Sequence, residues 1–424
     1  MNTIFTFLLT FVCLFAAPSS VAQMVELNIL ANSVDPEIDV DTVSIEDTVW
    51  CKVFLDPSLE LREKLFVFLP GTGGKPADHY SEISRRAAEL GYHSIGLVYK
   101  NTQSISALCG YTPDLNCSED ARLEIIYGED LSDGVAVDEA NSIQNRLSRL
   151  LIRLHEINTL AGWDNYVNLS DSSLIWNNIA FGGHSQGGGH AALIARDHSI
   201  DRLLFFNCPS DFNSHPSAED QPSWFYDDFE TSDSLWYAFY HQQNGGDNRL
   251  KVYQNFGMEQ WGVVRNVDED EPPYNFTHIL KTDSNTYDYS GFVNDDCDDD
   301  EGTSEFDAHS DIIVDCELPK DVSGTNYYLQ VWDYMLTNET NINQLGWKET
   351  DQIVQVYPNP CTGKIYFGTE LSEDARLSVY TFNGQSIHFD RHKTYLEFPA
   401  ISSGVYLMRI QLDGRIQQVK LIIQ

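Results

Sequence analysis

The chain has 424 residues, 42% hydrophobic and 12% aromatic, which is ample for a buried core and more than one domain usually holds. Its 64 acidic residues against 26 basic ones give a net charge of -38. Such a surface repels phosphates, which excludes nucleic acids and anionic membranes as partners and serves solubility.

The opening stretch MNTIFTFLLTFVCLFAAPSSVAQ carries no side-chain charge. An apolar run from Phe5 to Ala17 is followed by Ser20-Val21-Ala22, a small-x-small cleavage pattern. The run is too short to cross a bilayer comfortably. Residues 1–22 therefore read as a secretory signal peptide, with no transmembrane segment after its removal. Seven cysteines then remain, at 51, 109, 117, 208, 297, 316 and 361, with no CxxC pair among them. Export favours disulfides over metal or redox sites. Cys109 with Cys117 and Cys297 with Cys316 are the expected bridges, and the odd count leaves at least one cysteine outside them.

Short strands, VELNIL and TVWCKVFL, are expected between Gln23 and Asp56. LFVFLPGTGG, Leu65 to Gly74, is an apolar strand running into a glycine-rich loop. A helix follows in DHYSEISRRAAELGYH, with Gly91 near its end, and then a strand from His93. Strand, helix and strand in roughly forty residues make a βαβ unit, hence a parallel sheet with helices on its faces. An amphipathic helix is expected over Val135–Leu160, then the apolar strand before Ser185 and a helix starting near Gly187. Further strands are expected at Arg202–Asp211, Leu235–Gln243 and Thr277–Asp283. The acidic NDDCDDDEGTSEFD from Asn294 ends regular structure; its clustered carboxylates would suit calcium, but the spacing is not that of an EF-hand and such a run is usually solvated surface. Apolar IIVD and a helix over Asn326–Thr337 close the body. Past Thr340 the chain becomes alternating strands with Asn-Gly and Asp-Gly turns. The fold class is therefore α/β, a mostly parallel central sheet flanked by helices over residues 23–340. A linker at 341–352 and a small β-sandwich at 353–424 complete it.

IAFGGHSQGGGHAALIAR, Ile179 to Arg196, sets a serine in GxSxG between an apolar strand and an alanine-rich helix. That context suits a strained turn exposing the Ser185 hydroxyl as a nucleophile. A phosphate-binding glycine loop is the competing reading, but it belongs in the first βαβ unit, and no lysine is present here. A serine nucleophile needs a base, a group orienting the base, and donors for the oxyanion. The N–H of Gln186 and that of Thr72 or Gly73, in LPGTGG, are the expected donors. The chain order serine, acid, histidine points to His309, in FDAHSDIIVD, as base. Asp247, in the loop NGGD after a strand, is the expected acid, with Asp211 as the alternative; Asn244 stands where the strand emerges and could mark a displaced acid. The aromatics from Pro222 to Tyr240 are core, or else walls of a cleft.

Together these residues resemble the α/β-hydrolase superfamily over about Val25 to Thr337, in a secreted branch with esterases and polyester depolymerases as relatives. The resemblance implies a Ser185, Asp247, His309 triad, an acyl-enzyme and a small-molecule or polymer ester substrate, with no cofactor. The polar NGGD loop departs from the family pattern. VYPNPCTGKIYF, FNGQ, SSGVYLMRIQ and the tail VKLIIQ resemble the sorting domain of the type IX (Por) secretion system. That implies the type IX machinery as partner and export across a Gram-negative outer membrane. The expected function is a secreted serine carboxylic-ester hydrolase. A binding or adhesion protein on a decayed hydrolase scaffold, or a serine peptidase of the same fold, are the alternatives.

Overall fold

The structure, a computed structural model, describes residues 24–39, 42–44, 47–59, 61–216, 221–284, 307–321, 323–337 and, with short interruptions, 356–423. The expected signal peptide, Cys297, the acidic run 294–301 and the linker 341–352 lie outside the described residues.

Nine strands form the central sheet: β1 Val25–Ile29, β2 Cys51–Leu55, β3 Leu65–Leu69, β4 His93–Gly96, β5 Ile179–His184, β6 Arg202–Phe206, β7 Trp236–His241, β8 Arg265–Asn266 and β9 Ile279–Thr282. Their order is β1-β2-β4-β3-β5-β6-β7-β9-β8. The β1–β2 and β2–β4 pairs are antiparallel and every other pair is parallel. LFVFL in β3 and IAFGGH in β5 are buried along their whole length, as central parallel strands covered on both faces must be. Side chains alternate across the sheet. Leu65, Val67 and Leu69 join one core, with helices α2 Cys117–Tyr127, α3 Ile143–Ile157 and α4 Gln186–Asp197. Phe66 and Phe68 join a second core on the opposite face, with α1 Ser81–Glu89 and α6 Leu329–Thr337.

The helix expected over Val135–Leu160 is shorter than its periodicity suggested. The Ser142 hydroxyl accepts from Asn145 N–H and caps α3, while Asp138 caps a separate turn at Glu139–Asn141. Three helices are not expected from the sequence: a short one at Ile105–Cys109, α2, and α5 Gly246–Asn255. Arg86 of α1 and Asp333 of α6 form a buried two-pronged ion pair, Nε to Oδ1 at 2.6 Å and Nη2 to Oδ2 at 2.7 Å. The aromatic stretch is mostly core: Trp224, Phe225 and Trp236 pack around Phe256, and Tyr226 is the one exposed aromatic of the stretch.

Cys109 and Cys117 are bonded, closing the loop between them. Cys316 is also disulfide-bonded, and its expected partner lies outside the described residues.

The last segment holds two antiparallel sheets. One runs β10-β11-β14-β13, from Val356–Tyr357, Lys364–Phe367, Tyr395–Glu397 and Asp390–Arg391 in that order. The other runs β12-β15-β16, from Arg376–Thr381, Gly404–Leu412 and Arg415–Ile423. Ile365 and Leu396 from the first sheet and Val379, Met408 and Leu421 from the second share one apolar cluster.

Candidate active site

Ser185 stands between β5 and α4 with φ 52° and ψ -117°. A non-glycine residue pays of order 1–3 kcal/mol for such a backbone, which persists only where its surroundings enforce it. They do so by close approach. A methyl group on Gly187 would lie 2.0 Å from the Leu69 carbonyl oxygen, and one on Gly183 would lie 2.4 Å from Gly187 C. The glycines flanking the serine thus let β3, β5 and α4 meet. The Ser185 N–H donates to the Phe206 carbonyl at 3.1 Å, and the side chain is half-buried.

The expected oxyanion donors divide. Gln186 opens α4, so its N–H has no intrahelical acceptor and sits at the positive end of the helix. Gly73 N–H already donates to the Asn101 carbonyl at 3.0 Å. Asn101 Nδ2 donates in turn to the carbonyls of Gly71 and Gly74, which pins the loop. Thr72 is the candidate whose N–H remains available. Its hydroxyl donates to Gln186 Oε1 at 2.8 Å, and Ile105 N–H donates to the same oxygen at 3.2 Å. Loop and elbow are therefore tied together beside the serine. Ile105 also lines a small cleft with Cys109, Cys117, Phe212 and Pro222.

His309 is held from two sides. Its carbonyl accepts from Asn207 Nδ2 and from His184 Nε2, each at 2.8 Å. Its ring packs against that of His184, the residue before Ser185, with centroids 4.6 Å apart. The His184 Nδ1 accepts from the Tyr80 hydroxyl at 3.0 Å. Both His184 nitrogens are thus engaged in a neutral ring, and burial holds its pKa well below 6.5.

The group on the His309 ring is not the expected acid. His309 Nδ1 donates to Asn244 Oδ1 at 2.9 Å. Asp247 is exposed on α5 and accepts from Gln242 Nε2 at 3.0 Å. Asp211 is bound to Arg122, Nε to Oδ2 at 2.7 Å, with Nη2 on Oδ1 as well. Arg122 Nη1 also donates to the Gln186 carbonyl, so that pair braces the elbow from beneath. Neither Asp247 nor Asp211 meets the His309 ring, whereas the amide of Asn244 does. Asn244 presents an acceptor oxygen, which fixes the proton on Nδ1 and leaves Nε2 with its lone pair. Burial, and next the charge of Arg249, lowers the His309 pKa to about 4. Among the described residues no hydrogen bond joins Ser185 Oγ to His309, a contact that often tightens only with substrate.

Asn207, Asn244, His184 and Tyr80 were not read as site residues. Asn244 alone carried a signal, its position at the end of β7. The described residues contain no group of three or more potential metal ligands and no helix long and apolar enough to cross a membrane.

Residues 355–424 match the family described as the secretion system C-terminal sorting domain. No curated protein matches the chain. Among solved structures, the chain is similar to a putative dienelactone hydrolase from Klebsiella pneumoniae subsp. pneumoniae MGH 78578, at 8% identity and TM-score 0.25, over 55% of this chain and 81% of that one. It is also similar to a bacterial heroin esterase, at 13% identity and TM-score 0.25, over 62% and 75%. A third is esterase Est22, at 11% identity and TM-score 0.24, over 57% and 70%. Likenesses this distant say nothing of substrate, and the fold is read from the strand order itself. The chain joins an α/β body, a mostly parallel nine-stranded sheet flanked by helices, to a secretion system C-terminal sorting domain at residues 355–424, which marks it for type IX export to the cell surface or the extracellular space.

Proposed function

We propose that the protein is a secreted serine hydrolase that cleaves carboxylic esters through an acyl-enzyme on Ser185. The observation that carries the reading is the strained backbone of Ser185 on the turn from β5 to α4, where the hydroxyl stands at the carboxyl end of the sheet. His309 Nε2 takes the serine proton as the hydroxyl attacks the ester carbonyl. Asn244 holds the imidazole in the tautomer this requires. The N–H groups of Gln186 and Thr72 receive the oxyanion; losing one such donor costs on the order of 100 to 1000-fold in rate. His309 then gives its proton to the leaving alcohol and activates water for deacylation. The cleft beside Ile105 is a candidate seat for part of the substrate.

The amide in place of a carboxylate favours a second reading, a binding protein on a hydrolase scaffold. Labelling by a fluorophosphonate, together with hydrolysis of short and medium chain p-nitrophenyl esters, separates the two. Labelling and turnover that vanish in Ser185→Ala support the hydrolase. A folded chain that refuses both supports the binding protein.

A further inference from the structure

Arg249, on the first turns of α5, is 5% exposed, yet among the described residues its guanidinium donates only to the Ser210 hydroxyl, from Nη2 at 3.1 Å. Its Nε is buried with no acceptor. The other deeply buried arginines of the α/β body are differently served. Arg86 lies on Asp333, Arg122 on Asp211, and Arg146 on the carbonyl and amide oxygens of Asn141. Asp247, two residues before Arg249, accepts from Gln242, and Asp211, next to Ser210, is bound to Arg122. A buried cation without a counter-charge is costly, and such groups are usually found paired.

Ser210 follows β6, the neighbour of β5, and Asn244-Gly245 follow β7, the next strand, so both lie past the carboxyl ends of strands, where ligands of open α/β sheets bind. Nη1 is 3.4 Å from the point a side-chain carbon on Gly245 would occupy, which places the guanidinium directly beside that glycine. Gly245 is next to Asn244, which holds the His309 ring, and the charge of Arg249 is felt at both His309 and His184.

From this geometry we infer that Arg249 is the specificity residue for a substrate carboxylate, so that the preferred esters carry a negatively charged group on the portion seated between Ser210 and Gly245. The inference rests on the hydrolase reading above. Nη1, which has no acceptor among the described residues, can give a carboxylate a charge-assisted hydrogen bond. In a chain of net charge -38, a local cation is also what draws an anionic substrate in.

The test compares, in the full chain, kcat/KM for the p-nitrophenyl monoester of glutaric acid with that for p-nitrophenyl valerate, in wild type and in Arg249→Met and Arg249→Lys. Because the ratio is taken within each variant, it cancels any change at His309. Wild type should favour the carboxylated ester by roughly 10 to 100-fold, the range of a charge-assisted hydrogen bond. Arg249→Met should abolish the preference and Arg249→Lys restore part of it. A wild-type ratio near or below one, or a ratio unchanged in folded Arg249→Met, overturns the inference. Titration calorimetry of glutarate into the Ser185→Ala chain reads the site without chemistry. Glutarate binding that Arg249→Met removes, in a chain inert to every ester, would uphold the subsite while the hydrolase reading fails; no binding and no ester preference would defeat the subsite alone.

Discussion

Asn244 Oδ1 and His309 Nδ1 are joined by a 2.9 Å hydrogen bond across 65 residues of chain, so an amide occupies the position expected of a carboxylate. An amide orients the ring but adds no charge to stabilise the imidazolium. Asn244→Asp should therefore raise the His309 pKa and move the acidic limb of kcat/KM upward by about one pH unit or more. Asn244→Ala should lower kcat by on the order of 100-fold, as the ring loses its orientation. Ester hydrolysis at wild-type rate in Asn244→Ala would remove this residue from the mechanism.

The pH profile of the wild type follows from the buried ring. A protonated His309 cannot accept the serine proton, and its pKa is lowered from 6.5 to about 4. Activity should stay flat from neutral pH down to about 5 and fall only near 4. A limb at 6.5, measured with a neutral ester, would mean that the base is an exposed histidine.

The two aspartates near the site should behave in opposite ways. Asp247→Ala should leave ester turnover within about twofold, since among the described residues its carboxylate is hydrogen-bonded only to Gln242. Asp211→Ala strands the buried Arg122 and should cost about 3–5 kcal/mol of stability, read by urea denaturation.

Asp311 gives the fold a pH slope. Its carboxyl is buried without hydrogen bonds, 3.6 Å from His241 Nε2, and burial pushes its pKa from 3.8 up to about 8. The folded state holds a proton there that the unfolded state releases above about pH 4. This contribution is complete below pH 3.8 and is lost as pH rises through 8, by up to about 1.4 kcal/mol per unit. The denaturation midpoint should fall less between pH 5 and pH 8 in Asp311→Asn than in wild type. Parallel losses in the two proteins would show that the carboxyl is already ionised at pH 5.

The legible parts were those written locally. Strand, glycines and helix around Ser185 sit in one stretch, and LPGTGG reads directly as a strand end running into a glycine-rich loop. Other features depend on neighbours distant in sequence. The α2 helix escaped notice because its buried face carries Arg122 and Glu124; the Glu124 carboxylate accepts from the N–H groups of Leu131, Ser132 and Val137, and no apolar stripe results. NGGD read as a loop because Gly245 supplies a left-handed turn just before α5 begins. Residue type points to a carboxylate beside His309, whereas only the meeting of the loops at 244 and 309 shows that an amide contacts the ring. Gly73 was indistinguishable from Thr72 until the carbonyl of Asn101 was found to hold its N–H.

The carbonyl of His309 is gripped by Asn207 and His184 independently of its imidazole. The proton-transfer group can therefore be excised while the socket that held it survives. On the hydrolase reading, His309→Ala should keep a ring-shaped hole bordered by Asn244 and His184, and free imidazole added from solution should enter it and return part of the lost turnover in a saturable way.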